Sequence, residues 1–306
     1  MKPAATILIP LLRQQDKWLK EAVASAVGQS LPCEVLVVTS PHTPASNQDV
    51  LKRLQGIHPN LVVIERDPQM RFAAALNLGF GRAASDRVGL LLSDDWLDPR
   101  ALELTLPHDA DIVSAGRTLF GPGGMGEPLL LERPNSKAEY RKLKSNSDRA
   151  NYLSHFFLFR KTAVLAVGGV DETVGDSPGV DDFHLIWTML DAGASVGLVE
   201  ESVYCYRDHP GERLTTRRKE DMLATFGRIL DKHGVTGSQR ESMIRQHSAW
   251  FGRSMFEYYQ ELAPPSLPGV LEPFRGLYRA LLPFPLRVAI HERMVRPWRA
   301  IQRGRQ

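Results

Sequence analysis

The sequence is poor in cysteine. It has two, Cys33 and Cys205, among 306 residues. That is too few for a disulfide framework, and no Cys-x-x-Cys spacing is present for zinc or redox work. A cytoplasmic setting fits this scarcity. Long apolar runs are missing too: no stretch reaches the about 18 residues of a membrane span. The start, Met1-Lys2-Pro3 and then Ile7-Leu8-Ile9, lacks the length and cleavage pattern of a signal peptide. Glycine is absent after the first apolar run. Ile9-Pro10-Leu11-Leu12-Arg13 therefore carries neither the dinucleotide fingerprint nor the phosphate loop, and no Gly-x-Ser-x-Gly elbow occurs. These absences weigh against a dehydrogenase, an ATPase and an esterase. The net charge of +3 is mild, and no nucleic-acid module accompanies it.

What is present is ordinary globular composition, 43% hydrophobic and 24% charged, enough for one large domain or two modest ones. Thr6 to Pro10 reads as a buried strand. Asp16 to Gln29 carries a helical stripe of Trp18, Leu19, Ala22, Val23, Ala26 and Val27. Glu34 to Thr39 is a second strand, so the chain opens β-α-β, which favours a parallel sheet covered by helices. Further helices are expected at 47–54, 72–84, 102–106, 133–151, 162–167 and 181–191. Further strands are expected at 61–64, 88–92, 111–115, 154–160, 195–199 and 203–207. After residue 215 the pattern is helical, at 219–232 and 238–262. The expected organisation is an α/β domain over 1–215, with halves 1–100 and 101–215, followed by a helical extension over 216–306.

Three clusters could carry chemistry. Ser93-Asp94-Asp95 follows the apolar run Leu90-Leu91-Leu92. Carboxylates beyond the carboxyl end of a parallel strand sit where ligands bind, and such a pair suits magnesium or manganese with substrate phosphates completing the shell. An Asp-rich turn is the other reading. Asp181-Asp182 opens an amphipathic helix, where a carboxylate either caps the free N–H groups or serves as a general base. Tyr206-Arg207-Asp208-His209 begins a polar, basic stretch: His209 suits a metal or phosphate and the arginines suit phosphates, or the whole is a solvated loop.

Taken together these residues resemble family 2 glycosyltransferases, which have the GT-A fold. The likeness runs over about residues 5 to 215. Ile7-Leu8-Ile9-Pro10-Leu11-Leu12-Arg13 leads to Leu19, Ala22, Ser25 and Gln29-Ser30 as the family's first strand leads to its helix. Ala73 to Gly79 looks like the Ala-Arg-Asn-x-Gly helix. Leu91-Leu92-Ser93-Asp94-Asp95, with Pro99 and Leu102, matches the Asp-x-Asp region. Gly169-Val170-Asp171-Glu172, Asp181-Asp182-Phe183-His184-Leu185 and Tyr206-Arg207-x-His209 follow in the family's order.

The resemblance implies a GT-A-like, mostly parallel nucleotide-binding sheet and metal-dependent, inverting transfer from a nucleotide-diphosphate sugar to a saccharide or lipid-linked hydroxyl. It implies Mn2+ or Mg2+, with Asp95 as main metal ligand and His209 near the metal and diphosphate. Asp182 would be the catalytic base. Asp94 would bind the nucleotide, at the ribose or through the metal. Pro10, Leu11 and Thr39 would line the base pocket, and Asn77 and Arg207 would complete the donor site. The chain departs from the family at three places: Thr39 where an Asp contacts the base, Leu76 for the Arg of Ala-Arg-Asn, and Leu92 for the first Asp of Asp-x-Asp-Asp. A non-catalytic sugar-nucleotide or glycan binder on the same scaffold stays open as an alternative. So does a nucleotidyltransferase, although the Gly-rich basic loop usual there is missing.

The loops 121–126 and 174–180 are candidates for the acceptor side. The last segment, Leu286 to Gln306, holds six arginines against one Glu292. With its apolar residues it suits an anionic membrane surface, placing the protein peripherally on the inner face. The other readings, in that order, are a helical lid and an oligomer contact such as a homodimer.

Overall fold

The structure is a computed structural model. It describes residues 3–120, 136–174, 181–209, 219–249 and 251–252, with the backbone of 130–131. The chain divides into two compact units, Met1–Arg207 and Asp208–Gln306.

The first unit opens as the apolar pattern requires. Strand β1 (Ala5–Pro10) is buried at every residue, as befits a parallel strand covered on both faces. Helix α1 (Asp16–Val27) turns Leu19, Ala22, Val23 and Ala26 inward, and β2 (Cys33–Thr39) pairs with β1 in parallel. Helix α2 (Ala45–Gln55) leads to β3 (Leu61–Glu65), parallel to β2. Helix α3 (Phe72–Arg82) then carries the chain back, so that β4 (Arg87–Leu90) joins the other side of β1, again in parallel. The order β3-β2-β1-β4 reverses at β1. Ligands bind at such a switch point, beyond the carboxyl ends of the two strands. Pro10 and Leu11 end one of them, and Ser93-Asp94-Asp95 lies just past the other.

The second half of the sheet is mixed. Two residues, β5 (Trp96–Leu97), form a strand that the periodicity does not announce. After α4 (Ala101–Thr105) come β6 (Ile112–Phe120), the backbone strand β7 (Leu130–Leu131), α5 (Lys137–Tyr140), α6 (Asn146–Tyr152), β8 (Phe157–Arg160), α7 (Lys161–Ala166), α8 (Asp181–Asp191) and β9 (Val196–Arg207). The sheet runs β3-β2-β1-β4-β8-β6-β9-β5, with β7 on β6. Strand β8 is antiparallel to both neighbours, β9 is parallel to β6, and β5 is antiparallel to β9.

Two expectations change here. The segments expected as two strands at 195–199 and 203–207 are one strand, and β6 runs on past residue 115. The register between them shifts at Ser114, Gly116 and Arg117, which absorbs the interruption that Glu200-Glu201 puts in the apolar pattern. The single helix expected over 133–151 is two short ones. Ser136 accepts a hydrogen bond from the Glu139 N–H, and Ser145 accepts one from the Asp148 N–H. Each serine starts its own helix, as an N-cap does.

The second unit contains α9 (Lys219–Lys232) and α10 (Gly237–Ser248). His247 stacks on Phe226 at 4.0 Å, and the Phe251 ring meets Phe226 edge-on at 5.8 Å. The part of the helix expected beyond 252, the loops at 121–126 and 175–180, and the basic tail 270–306 lie outside the described residues. Among the described residues no helix is long and apolar enough to cross a membrane.

Candidate functional site

The turn after β4 is held from β9. The Asp95 N–H donates to the Leu92 carbonyl at 3.2 Å, closing the turn. This folds the Asp95 side chain inward, where it is 1% exposed. One carboxyl oxygen accepts from the Tyr204 hydroxyl at 2.7 Å and the other from the Arg207 N–H at 2.7 Å. The Tyr204 oxygen itself accepts from the Leu92 N–H at 3.2 Å. Burial, and then the charge of Asp95, push the Tyr204 phenol well above its usual value, which keeps it a donor.

The metal role expected of Asp95 does not fit this setting. A ligand carboxylate must reach the ion, and Asp95 is 1% exposed with an oxygen turned to each of two buried protein donors. Asp94, expected to bind nucleotide, is the half-buried member of the doublet.

Arg207, expected in the donor site, is also structural. Its guanidinium lies over the rings of Trp18 and Trp96, 5.1 and 4.6 Å from their centroids. It pairs with Glu21, and Nε donates to the Asp94 carbonyl at 2.9 Å. A buried arginine stacked and paired in this way braces the turn. His209 falls two residues further on, half-buried, in the second unit.

At the ends of β1 and β2, Pro10, Leu11 and Thr39 are all buried. The Thr39 hydroxyl donates to the Ile64 carbonyl at 3.2 Å, joining β2 to β3. Asn77, on α3, grips the Gly-Val-Asp-Glu segment. Its Oδ1 accepts from the Val170 N–H at 2.7 Å, and its Nδ2 donates to the Val170 carbonyl and to Glu172, both at 2.9 Å. Gly169 makes room for this: its φ is +78°, and a Cβ there would come within 2.4 Å of Asn77 Oδ1. The Asn77 amide is thus committed to a turn, not held out to a donor. From that turn Asp171 faces His184 of α8, with Oδ2 at 3.3 Å from Nε2.

Asp182 stands at the start of α8, beside the buried Asp181. Its side chain keeps 28% exposure. Oδ1 accepts from the Phe183 N–H at 2.8 Å, and Oδ2 lies 3.0 Å from His155 Nε2. Burial alone would push the Asp182 carboxyl up. The hydrogen bond and charge of His155, the Phe183 N–H and the charge of Arg117 outweigh it and hold the carboxyl below the usual range. His155 was not foreseen. It is a histidine inside the apolar run Leu153 to Phe159, a pattern that reads as core. It is in fact buried, with its ring 4.6 Å from Phe157 and 5.1 Å from Tyr204. Asp95, Tyr204, His155 and Asp182 therefore form a continuous series of contacts. Among the described residues no group of three or more His, Cys, Asp and Glu side chains is placed to hold a metal ion.

This fold is that of a GT-A-like glycosyltransferase scaffold. The model of the family described as "Glycosyl transferase family 2" matches residues 6–168, just over half of the chain, and the chain belongs to that family. Among solved structures it is similar to the mannosyltransferase PcManGT from Pyrobaculum calidifontis in complex with GDP-Man and Mn2+. The TM-score is 0.59 at 17% identity, covering 95% of this chain and 85% of that one. It is also similar to residues 1–349 of S. aureus TarS in complex with UDP-GlcNAc, with a TM-score of 0.56 at 18% identity over 81% of this chain and 71% of that one. Both likenesses concern the fold. In sequence it is 25% identical over 240 residues to the O-antigen biosynthesis protein RfbC of Myxococcus xanthus, which covers 76% of this chain. An uncharacterized protein, y4gI, of Sinorhizobium fredii is 22% identical over 92% of the chain. The chain spans only 18% and 28% of the lengths of these two relatives.

Proposed function

We propose that this chain transfers a sugar from a nucleotide-diphosphate sugar to a hydroxyl of a saccharide or lipid-linked acceptor, with inversion at the anomeric carbon. The observation that carries the reading is the juxtaposition at the carboxyl edge of the sheet. Asp95, whose neighbour Asp94 is the half-buried carboxylate at the strand-order switch, is linked through Tyr204 and His155 to Asp182, an ionised carboxylate at a helix start.

Asp182 is the base. It takes the proton of the acceptor hydroxyl while that oxygen forms its bond to the anomeric carbon and the bond to the diphosphate breaks on the opposite face. Its low proton affinity keeps it ionised and ready to receive. Asp94 would hold the divalent cation. One carboxylate fits that group, because magnesium and manganese sites built on a substrate diphosphate take one or two carboxylates and complete the shell with phosphate oxygens and water. When bound, the cation supplies charge neutralisation of the departing diphosphate. Asp95, Tyr204 and Arg207 keep the turn in place for it, and Pro10, Leu11 and Thr39 form the floor under the base.

The test is a thermal-shift panel of UDP- and GDP-sugars with and without Mn2+, followed by turnover of any stabilising donor. Stabilisation by one nucleotide class that depends on Mn2+, with turnover, supports the reading. A donor that stabilises without turnover supports the non-catalytic binder instead, which the Thr39 hydroxyl, spent on Ile64, favours.

A further inference from the structure

We propose that His155 is a positioning residue for Asp182, holding its carboxylate ionised and aimed through the Nε2–H···Oδ2 hydrogen bond. The inference rests on Asp182 being the base but extends to a residue that no motif marks.

The ring is fixed from several directions. It is 7% exposed, packed between Phe157 of β8 and Tyr204 of β9, and its Nε2 is 3.0 Å from Asp182 Oδ2. Its other nitrogen, Nδ1, is buried without a hydrogen-bond partner. A proton on Nε2 serves the carboxylate, whereas a proton on Nδ1 would be a buried donor with nothing to accept it. The geometry therefore keeps a proton on Nε2, donated to Asp182, in the neutral ring and in the charged one alike. With Oδ2 held by His155 and Oδ1 by the Phe183 N–H, the carboxylate plane cannot rotate. The side chain keeps 28% exposure, which leaves the carboxylate reachable by an acceptor hydroxyl. Such pre-orientation is how positioned groups accelerate a proton transfer.

Among the described residues, other charged or titratable groups also face Asp182. Arg117 of β6 contributes positive charge and stacks on Tyr206 at 4.9 Å. On its own helix Asp181 precedes it, and His184 is turned to Asp171. The Tyr204 hydroxyl faces Asp95. Among the described residues His155 is thus the side chain that donates directly to Asp182, and its loss should register at that carboxylate.

The experiment starts without any substrate. Carboxyl-13C aspartate is incorporated, the Asp182 signal is identified by its loss in Asp182→Asn, and its titration is followed by NMR in the ligand-free protein. His155→Phe keeps the ring packing on Phe157 and Tyr204 but removes the donor; His155→Gln restores an N–H at about the Nε2 position. The Asp182 midpoint should rise by about one unit in His155→Phe and return toward wild type in His155→Gln. An unmoved midpoint in a folded His155→Phe protein overturns the proposal.

Turnover of a donor found in the UDP- and GDP-sugar panel gives the second arm. His155→Phe should lower kcat about ten- to a hundredfold with KM nearly unchanged, and shift the acid limb of the pH profile upward. Its effect should vanish in an Asp182→Asn background. A kcat within twofold of wild type overturns it. If wild type turns over no donor, the transferase reading fails alone, and the NMR arm still decides what His155 does to Asp182.

Discussion

The molecule carries two aspartate doublets at opposite ends of the same series of contacts, and it uses them in opposite order. In Asp94-Asp95 the second residue is buried and the first is half-exposed; in Asp181-Asp182 the first is buried and the second retains access. Each doublet splits into one buried carboxyl and one that keeps some access to solvent. What decides the split is not the doublet but its partners. The turn after β4 folds back on Leu92 and delivers Asp95 to Tyr204 and Arg207, more than a hundred residues away in sequence. The start of α8 has Asp182 opposite His155, and that pair lies across the boundary between two elements.

The largest expected effect breaks the comparison at its exposed end. Asp182→Asn should lower turnover on the order of a thousandfold, as losing a general base does, while donor affinity measured by calorimetry stays within a few-fold. Turnover close to wild type would remove Asp182 from its role. The buried end of the first doublet comes next. Asp95→Ala leaves the Tyr204 hydroxyl and the Arg207 N–H without acceptors in a dry setting, and should cost about 2–4 kcal/mol of stability, read as a lower denaturant midpoint. If the midpoint is unchanged but cation-dependent donor binding is lost, then Asp95 is the ligand after all.

Much of the fold is legible because it rests on local periodicity. The β-α-β opening, α9 at Lys219–Lys232 and α8 at Asp181–Asp191 follow from stripes that are complete within each element. The positions of both doublets are legible for the same reason, since strand ends and helix starts show in the chain. The assignment of work within each doublet is not. Arg207 looks like a phosphate ligand until Trp18, Trp96 and Glu21 close around it, and none of those three is near it in sequence. Asn77 looks like a donor contact until the Gly169 turn arrives beneath it. His155 carries no motif at all, and a histidine in an apolar run is more often core. The split of α5 from α6 was within reach: Ser136-x-x-Glu139 and Ser145-x-x-Asp148 are helix-start signatures that a long polar stretch conceals.

A smaller effect sharpens the comparison at the half-exposed end of the strand doublet. Asp94→Asn should weaken Mn2+-dependent binding of a UDP- or GDP-sugar about tenfold and leave the denaturant midpoint within about 0.5 kcal/mol of wild type. Asp95→Ala should do the reverse, losing stability first. Equal losses of stability in the two variants would mean that the turn does not divide its carboxyls as its hydrogen bonds imply.

The smallest expected effect lies in the pH dependence of stability, and it follows from the sign of one shift. The Asp182 carboxyl is held below its ordinary value of 3.8 by His155, the Phe183 N–H and Arg117, against the burial that pushes it up. A group depressed in the folded state stabilises at pH above its unfolded value, and that contribution fades as the pH falls through the folded one. The gap in unfolding free energy between wild type and Asp182→Asn should therefore be constant from neutrality down to about pH 4 and close below it. Urea melts of both proteins across the acid range measure this. A gap that closes well above pH 4 would mean that Asp182 binds its proton more readily than a carboxylate facing His155 should. The strand doublet and the helix doublet would then no longer differ in the way that assigns the base to the helix.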